Sequence, residues 1–261
     1  MSIFIGIGGW TFEPWRGVFY PKGLPQKREQ EYASTHLTGI EVNGTYYGSQ
    51  KPESFRKWRS ETPDGFMFTL KGPRFATNRR VLAEAGESIS RFFDSGVTEL
   101  KEKLGAVNWQ FMATKKFDPD DFEAFLKLLP KKVDGQAICH AVEVRHDSFK
   151  CEEFVALCRK HGVAIVFAAD SDFPLIGDVT ADFVYARIMG TQAKEKLGYP
   201  PAILKTWATR AQDWAKGESP KKSLLVAEPA PRKKRDVFLF VISGAKEKNP
   251  AAAQAIIAAL K

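Results

Sequence analysis

Eight short apolar runs, rich in β-branched and aromatic residues, recur along this chain with helix-patterned stretches between most of them. They are IFIGIG (3–8), GIEVN (39–43), FMFTLK (66–71), AVNWQF (106–111), HAVEVR (140–145), AIVFAA (164–169), FVYARI (183–188) and VFLFVI (237–242). Short strand-forming runs that alternate with helices are the pattern of βα units on a parallel sheet. Eight of them in 261 residues predict an α/β fold of the TIM-type (β/α)8 barrel kind. An open doubly wound sheet usually has fewer strands. No repeat or linker divides the sequence, so a single barrel domain over 1–261 is expected.

The intervening stretches carry helical periodicity. In PDDFEAFLKLLP (119–130), Phe122, Phe125, Leu126 and Leu129 fall on one face and acidic residues occupy the first turn, as in a helix laid over a sheet. The stretch ISRFFDSGVTELKEKL (89–104) reads as one long helix. The gap at 170–182 reads as a loop. A basic, Pro- and Lys-rich insertion is expected at about 217–236, and SLLVAE (223–228) within it is a candidate extra strand.

The net charge of +8 permits attraction to phosphates, nucleic acid or acidic metabolites. Much of it lies in KKSLLVAEPAPRKKR (221–235), which also reads simply as a solvated loop. The longest apolar runs are far shorter than the roughly 20 residues that cross a bilayer, and the first residues lack the basic-then-apolar order of a leader. A cytoplasmic protein without membrane partners is therefore expected. Three cysteines, none in a C-x-x-C spacing, read as reduced core thiols.

In a barrel of this kind the site lies at the C-terminal ends of the strands, and here those ends are polar. In chain order they supply Trp10, Glu41 and Asn43, Lys71, Gln110, Glu143 and Arg145, Asp170, and Arg187. The fifth run shows the logic. Glu143 and Arg145 share one face of the strand, while Val142 and Val144 point the other way into apolar packing. Taken singly, each residue has a structural explanation: Trp10 as packing under the first loop, the glutamates as salt-bridge partners. As a set, charged side chains at a barrel mouth are a costly way to fill space.

Several chemistries are set aside. Of the four histidines only His146 follows a strand end, so a multi-histidine metal centre is not supported, and no residue is assigned as a metal ligand. There is no P-loop, G-x-S-x-G or H-E-x-x-H, and GIGGW is not a dinucleotide fingerprint, so no nicotinamide or flavin is implied. What remains is carboxylates with cations. Glu41, Glu143 and Asp170 are candidate catalytic groups, as general acid or base or as oxygen ligands should Mg²⁺ or Mn²⁺ be used. Lys71, Arg145 and Arg187 are candidate holders of a phosphate or carboxylate, with Gln110 and Asn43 beside them. Trp10, Tyr46 and Tyr47 offer stacking surfaces for a sugar or base.

The motifs GGWTFEPWRGVFYP, YASTHLTGIEVNGTYYGSQKPESFRKWRSETPDGFMFTLKGPR, LKEKLGAVNWQF, HAVEVRHDSF and TADFVYARIMG together resemble, in order and spacing, the YecE-like family, also called domain of unknown function 72. The resemblance covers about residues 5–260 and implies a TIM barrel without an established activity. It carries over Gly9 and Trp10, the E-x-N of Glu41 and Asn43, Tyr46 or Tyr47, Lys71, Gln110, the E-x-R of Glu143 and Arg145, and Arg187 with Gly190. The sequence departs from that pattern where Asn78 replaces a histidine, where QFMAT replaces paired prolines, where Ser148-Phe149 replaces Ser-Trp, and where VISGAKEKNP replaces paired asparagines after the last strand. The expectation is a barrel that binds or transforms a phosphorylated or otherwise anionic small molecule, a sugar or nucleotide derivative. A non-catalytic nucleic-acid-binding barrel and a metabolite sensor that has lost catalysis are the alternatives.

Overall fold

The computed structural model describes residues 1–219 and 224–261. Its eight barrel strands are β1 (Ile3–Gly8), β2 (Gly39–Val42), β3 (Met67–Lys71), β4 (Leu104–Gln110), β5 (Cys139–Glu143), β6 (Ala164–Ala169), β7 (Phe183–Ile188) and β8 (Asp236–Val241). All pair in parallel and in chain order, and β8 closes onto β1 through the register Ile3↔Val237 to Ile7↔Val241. The (β/α)8 barrel predicted from the eight apolar runs is the fold observed.

The surrounding helices are α1 (Glu29–His36), α2 (Pro52–Ser60), α3 (Gly86–Asp94), α4 (Pro119–Leu128), α5 (Glu152–His161), α6 (Pro201–Lys216) and α7 (Asn249–Ala259). Local chemistry sets their ends. The Asp118 side chain accepts the amide of Asp121 at the start of α4 and Pro119 opens its first turn. Gly162 and Gly217, both at positive φ, stop α5 and α6. The outward faces of the strands and the inward faces of the helices form one large apolar layer that includes Val142, Val144, Phe122, Phe125 and Trp109. The lumen is separate. Phe4, Phe183 and Phe238 fill its lower end and Tyr185 and Phe240 its middle, with Ala106, Ala141, Ala164 and Val166 around them.

Three local expectations change. The stretch 89–104 is not one helix. It breaks into α3 and a 3-10 segment, Val97–Lys103, because Gly96 adopts φ 96° where any Cβ would lie 2.8 Å from Pro52. SLLVAE forms no strand over its described residues 224–228, and Ser223 lies outside them. Instead the amides of Val226 and Ala227 donate to the Asp178 carboxylate, which fastens the segment to the β6–β7 loop. That loop contains no helix, as expected. A two-residue ribbon, Lys132–Val133 with Gln136–Ala137, was not anticipated. Its turn is Asp134-Gly135 with both φ positive, a readable hairpin signal.

The basic insertion is partly neutralised. Arg232 pairs with Glu218 and Lys233 with Asp182, while Arg235 donates to the carbonyls of Ala181, Lys233 and Pro231. Lys221 and Lys222 lie outside the described residues. No helix among the described residues is long and apolar enough to cross a membrane.

The closest strand approach gives a stability prediction. A Cβ on Gly6 would sit 1.8 Å from the carbonyl oxygen of Gly39, so Gly6→Ala must push β1 from β2. Overpacking of this kind costs about 1–3 kcal/mol or more. Gly48→Ala, at a position with open space around it, should change stability by less than about 0.5 kcal/mol. Urea unfolding midpoints of the two variants check the contrast.

Candidate functional site

Strand alternation delivers the site. Residues two apart on a strand share a face, so the inward series ends in Glu41 on β2, Lys71 on β3, Gln110 on β4, Glu143 on β5 and Arg187 on β7. Glu41 and Glu143 are fully buried, and Arg187, Lys71 and Gln110 nearly so. Arg187 is the centre. Its Nη2 donates to Glu41 Oε1 at 3.0 Å and its Nη1 to Glu143 Oε2, so one guanidinium links two carboxylates from distant strands.

Each carboxylate has further donors. Glu41 Oε2 accepts from the Tyr185 hydroxyl at 2.7 Å, and Thr69 Oγ1 lies 2.9 Å from that hydroxyl oxygen. Since the tyrosine proton goes to Glu41, the threonine must donate. Glu143 Oε1 accepts from Arg145 Nε and Nη2 at 2.9 and 2.7 Å, and Oε2 also accepts from Asn108 Nδ2 at 3.3 Å. Lys71 Nζ donates to Gln110 Oε1 and lies 4.5 Å from the centroid of the Tyr46 ring. Arg145 is the most exposed member, its side chain 23% accessible, and its guanidinium rests 4.2 Å from the centroid of Phe173.

These contacts set the protonation states. Burial alone would raise the pKa of Glu143, but Arg187, Arg145 and Lys71 overcome it and hold the carboxylate at about 2. Burial would lower Arg187, and Glu143 and Glu41 instead raise it above its ordinary value. For Lys71 burial dominates and Arg187 adds repulsion, so its pKa falls to about 8. The Tyr185 phenol is pushed well up by burial and by Glu41. Glu143 is thus a fixed negative charge at neutral pH and suits positioning better than proton donation.

The other sequence candidates sit outside this cluster. Asp170 is solvent-exposed at φ 56°, and its carboxylate accepts from the Tyr199 hydroxyl at 2.9 Å. That hydroxyl oxygen in turn accepts the Gly190 amide, so Asp170 braces the β7 loop. Among the described residues no hydrogen bond or ion pair joins Asp170 to Glu41 or Glu143. Trp10 is half-buried and meets Trp58 of α2 edge-on at 5.2 Å, which is packing beneath the first loop. Asn43 is half-buried at the mouth, and Gly8 leaves it room, since a Cβ there would lie 2.9 Å from Asn43 Nδ2. Asn78 is exposed at the end of a short turn. After β8, Ser243 and Gly244 both take positive φ, and buried Asn249 ties that turn down by donating to Ser243 O and accepting from Thr191.

Reading strand ends alone missed Thr69, Asn108 and Tyr185. Each precedes a cluster residue by two positions, so the same alternation, followed one layer down, finds them. Phe173 lies in a loop and had no such signal. As to Mg²⁺ or Mn²⁺, no group of three or more His, Cys, Asp or Glu ligands converges among the described residues. All four oxygens of Glu41 and Glu143 already accept hydrogen bonds, so a cation would have to displace arginines. The residues present do not fit a metal centre.

The comparisons agree with this architecture. A family model described as "Protein of unknown function DUF72" matches residues 4–261. The UPF0759 protein YecE of Escherichia coli (strain K12) is 30% identical over 150 residues, covering 56% of this chain and 50% of that protein. The UPF0759 protein YunF of Bacillus subtilis (strain 168) is 30% identical over 114 residues, covering 42% of this chain and 39% of that one. The chain thus spans about half the length of the curated relatives it matches. The crystal structure of a DUF72 family protein from Thermotoga maritima superposes with a TM-score of 0.73 at 23% identity, covering 98% of this chain and 97% of that one, which is a likeness of fold.

The ion cluster predicts a pH dependence. Glu143 has a folded pKa of about 2 against an ordinary 4.5, so the folded state takes up its proton at lower pH than the unfolded chain. Its contribution is full above the ordinary value and is lost as pH falls towards the folded one. Glu143→Gln should therefore be less stable than wild type at pH 7 by about 3–5 kcal/mol, since it leaves buried Arg187 and half-buried Arg145 short of a partner. The difference should shrink as pH falls from 4.5 towards 2. Urea midpoints at pH 7 and near pH 3 measure it; a gap that does not change with pH would show that Glu143 is not held ionised.

Proposed function

Because the chain belongs to the DUF72 family, whose description carries no activity, we propose a function from the site alone: the barrel mouth binds a small organic anion, carboxylate or phosphate, against Arg145. One observation carries the reading. Arg145 is held from two sides, by Glu143 Oε1 along one edge and by the Phe173 ring on its face, yet stays partly open to the mouth. Nη1 makes no hydrogen bond among the described residues, so it is a donor with its position already set. Fixing a guanidinium before binding reduces the entropy lost when an anion arrives.

Charge supports the same reading. Three cations, Lys71, Arg145 and Arg187, face two carboxylates, Glu41 and Glu143, which leaves one positive charge in excess when all are ionised. An incoming monoanion balances it. In this arrangement Arg145 and Lys71 contact the anion, and Glu143 and Glu41 aim the arginines. Tyr46, half-buried over Lys71, offers a face to the organic body of the ligand. Asp170, at the end of β6 with its carboxylate on Tyr199, has no role in it.

The test is a thermal-shift titration with inorganic phosphate and with ribose 5-phosphate. Wild type should be stabilised by at least one of them. Arg145→Met, folded by circular dichroism, should bind about 10- to 100-fold more weakly, the value of one charge-assisted hydrogen bond at about 1.5–3 kcal/mol. Equal affinities in the two proteins would end the proposal.

A second reading rests on a different feature. Tyr47 and Phe75 stand exposed at the mouth, and the Arg74 guanidinium lies 5.9 and 5.4 Å from their ring centroids. Exposed aromatics around a cation form a stacking platform for single-stranded nucleic acid. On this reading Tyr47→Ala with Phe75→Ala weakens oligonucleotide binding by about 1–3 kcal/mol per stacked base, with affinity falling as salt rises. Undetectable or salt-independent binding by wild type would remove it.

A further inference from the structure

The arginines of the cluster occupy both carboxylates and leave the lysine without one. Glu41 pairs with Arg187, and Glu143 with Arg187 and Arg145. Lys71 makes no ion pair among the described residues; its single hydrogen-bond acceptor is the neutral amide oxygen of Gln110. The residue is only 6% exposed, and the attraction of Glu41 and Glu143 is countered by the repulsion of Arg187 and Arg145, so burial decides the balance. A buried ammonium in such a place is poorly compensated, and its neutral form gains accordingly. With its pKa near 8, about half of the molecules carry a free amine at that pH.

A neutral, positioned amine at a barrel-strand end is a nucleophile towards carbonyl carbon. We propose that Lys71 is a carbonyl-trapping amine, forming an imine with a small aldehyde or keto acid whose anionic group lies on Arg145. The ligand class rests on the anion-binding reading above; the amine chemistry does not. The Nζ lone pair attacks the carbonyl carbon as the C=O π pair moves to oxygen, which takes the proton released by nitrogen. The carbinolamine then loses its hydroxyl and a proton as water, leaving C=N. Amine and carbonyl give imine and water, with no change of oxidation state. Gln110 Oε1 holds one N–H and so orients the lone pair, while the Tyr46 ring shields one side of the nitrogen. A protonated imine keeps the positive charge where the ammonium held it, now opposite the ligand's own anion. This is why an anionic carbonyl fits better than a neutral one.

Glyoxylate, which carries an aldehyde and a carboxylate, tests the idea with sodium cyanoborohydride at pH 8. Reduction of the imine leaves a carboxymethyl group on nitrogen, mapped by mass spectrometry of the digested wild-type protein. Lys71 should be labelled about tenfold or more faster than exposed lysines such as Lys51 and Lys116, despite its burial. Labelling no faster than those two overturns the proposal. Propionaldehyde, which lacks the anion, separates the two claims. Faster labelling by glyoxylate, slowed in Arg145→Met, supports the ligand class, and equal rates with both aldehydes overturn it while the amine chemistry stands. An unlabelled Lys71 in a protein that phosphate stabilises through Arg145 would overturn the amine chemistry and leave the anion-binding reading intact.

Discussion

A guanidinium buried in the lumen of a barrel is the constraint around which the upper half of this molecule is arranged. Arg187 cannot be solvated where it lies, so carboxylates must reach it from within the barrel. They come from β2 and β5, on either side of β3 and β4, so a single side chain fixes the relative height of distant strands. A one-residue slip of either strand would turn its glutamate outwards into apolar packing and strand the charge. The neighbours fit the same need. Ala168, registered beside Arg187 on β6, leaves room for the long side chain, and Tyr185 directly below fills the lumen while capping Glu41.

Stability alone does not account for such a cluster. Barrel interiors of this type are ordinarily filled by branched apolar side chains, and replacing a buried ion pair by apolar groups of similar volume is often neutral or stabilising. Here the charges are confined to the mouth, while the lower lumen is phenylalanine. Two buried polar atoms of the cluster, Arg187 Nε and Asn108 Oδ1, find no partner among the described residues, at a cost of about 1–3 kcal/mol each when left unsatisfied. A charged layer that carries these penalties in the upper lumen, above an apolar lower end, is the observation on which the proposed binding site draws.

Most of this was legible in the sequence for a simple reason: strand periodicity is local. The eight runs, the face shared by Glu143 and Arg145, and the inward aim of Glu41, Lys71, Gln110 and Arg187 all follow from counting by twos. What was not legible depends on contacts made between distant parts of the chain. The helix break at Gly96 is decided by Pro52, far away in sequence, and nothing near residue 96 announces that approach. Asp170 follows the last residue of β6, but its left-handed φ and the Tyr199 hydroxyl direct its carboxylate to the β7 loop. Phe173, which sets the plane of Arg145, belongs to a loop whose path no periodicity describes. Trp10 shows the same dependence on distant contacts, since its half-buried ring meets Trp58 edge-on across the first loop.

The charge count connects the two roles assigned to Lys71. With the amine protonated the cluster carries one excess positive charge, and with the amine neutral its two arginines and two carboxylates balance. Burial therefore lowers the pKa of the lysine to about 8, because among these five groups it can lose its charge without breaking an ion pair. Arrival of an anion restores the case for a cation at the same place. A plain anion meets that demand by recalling the proton, which makes binding take up a proton and weaken as pH rises past about 8. An anionic carbonyl meets it with a protonated imine instead. On the proposed reading one residual charge thus links affinity, protonation and nucleophilicity, and it arises because three cations face two carboxylates among the described residues of the cluster.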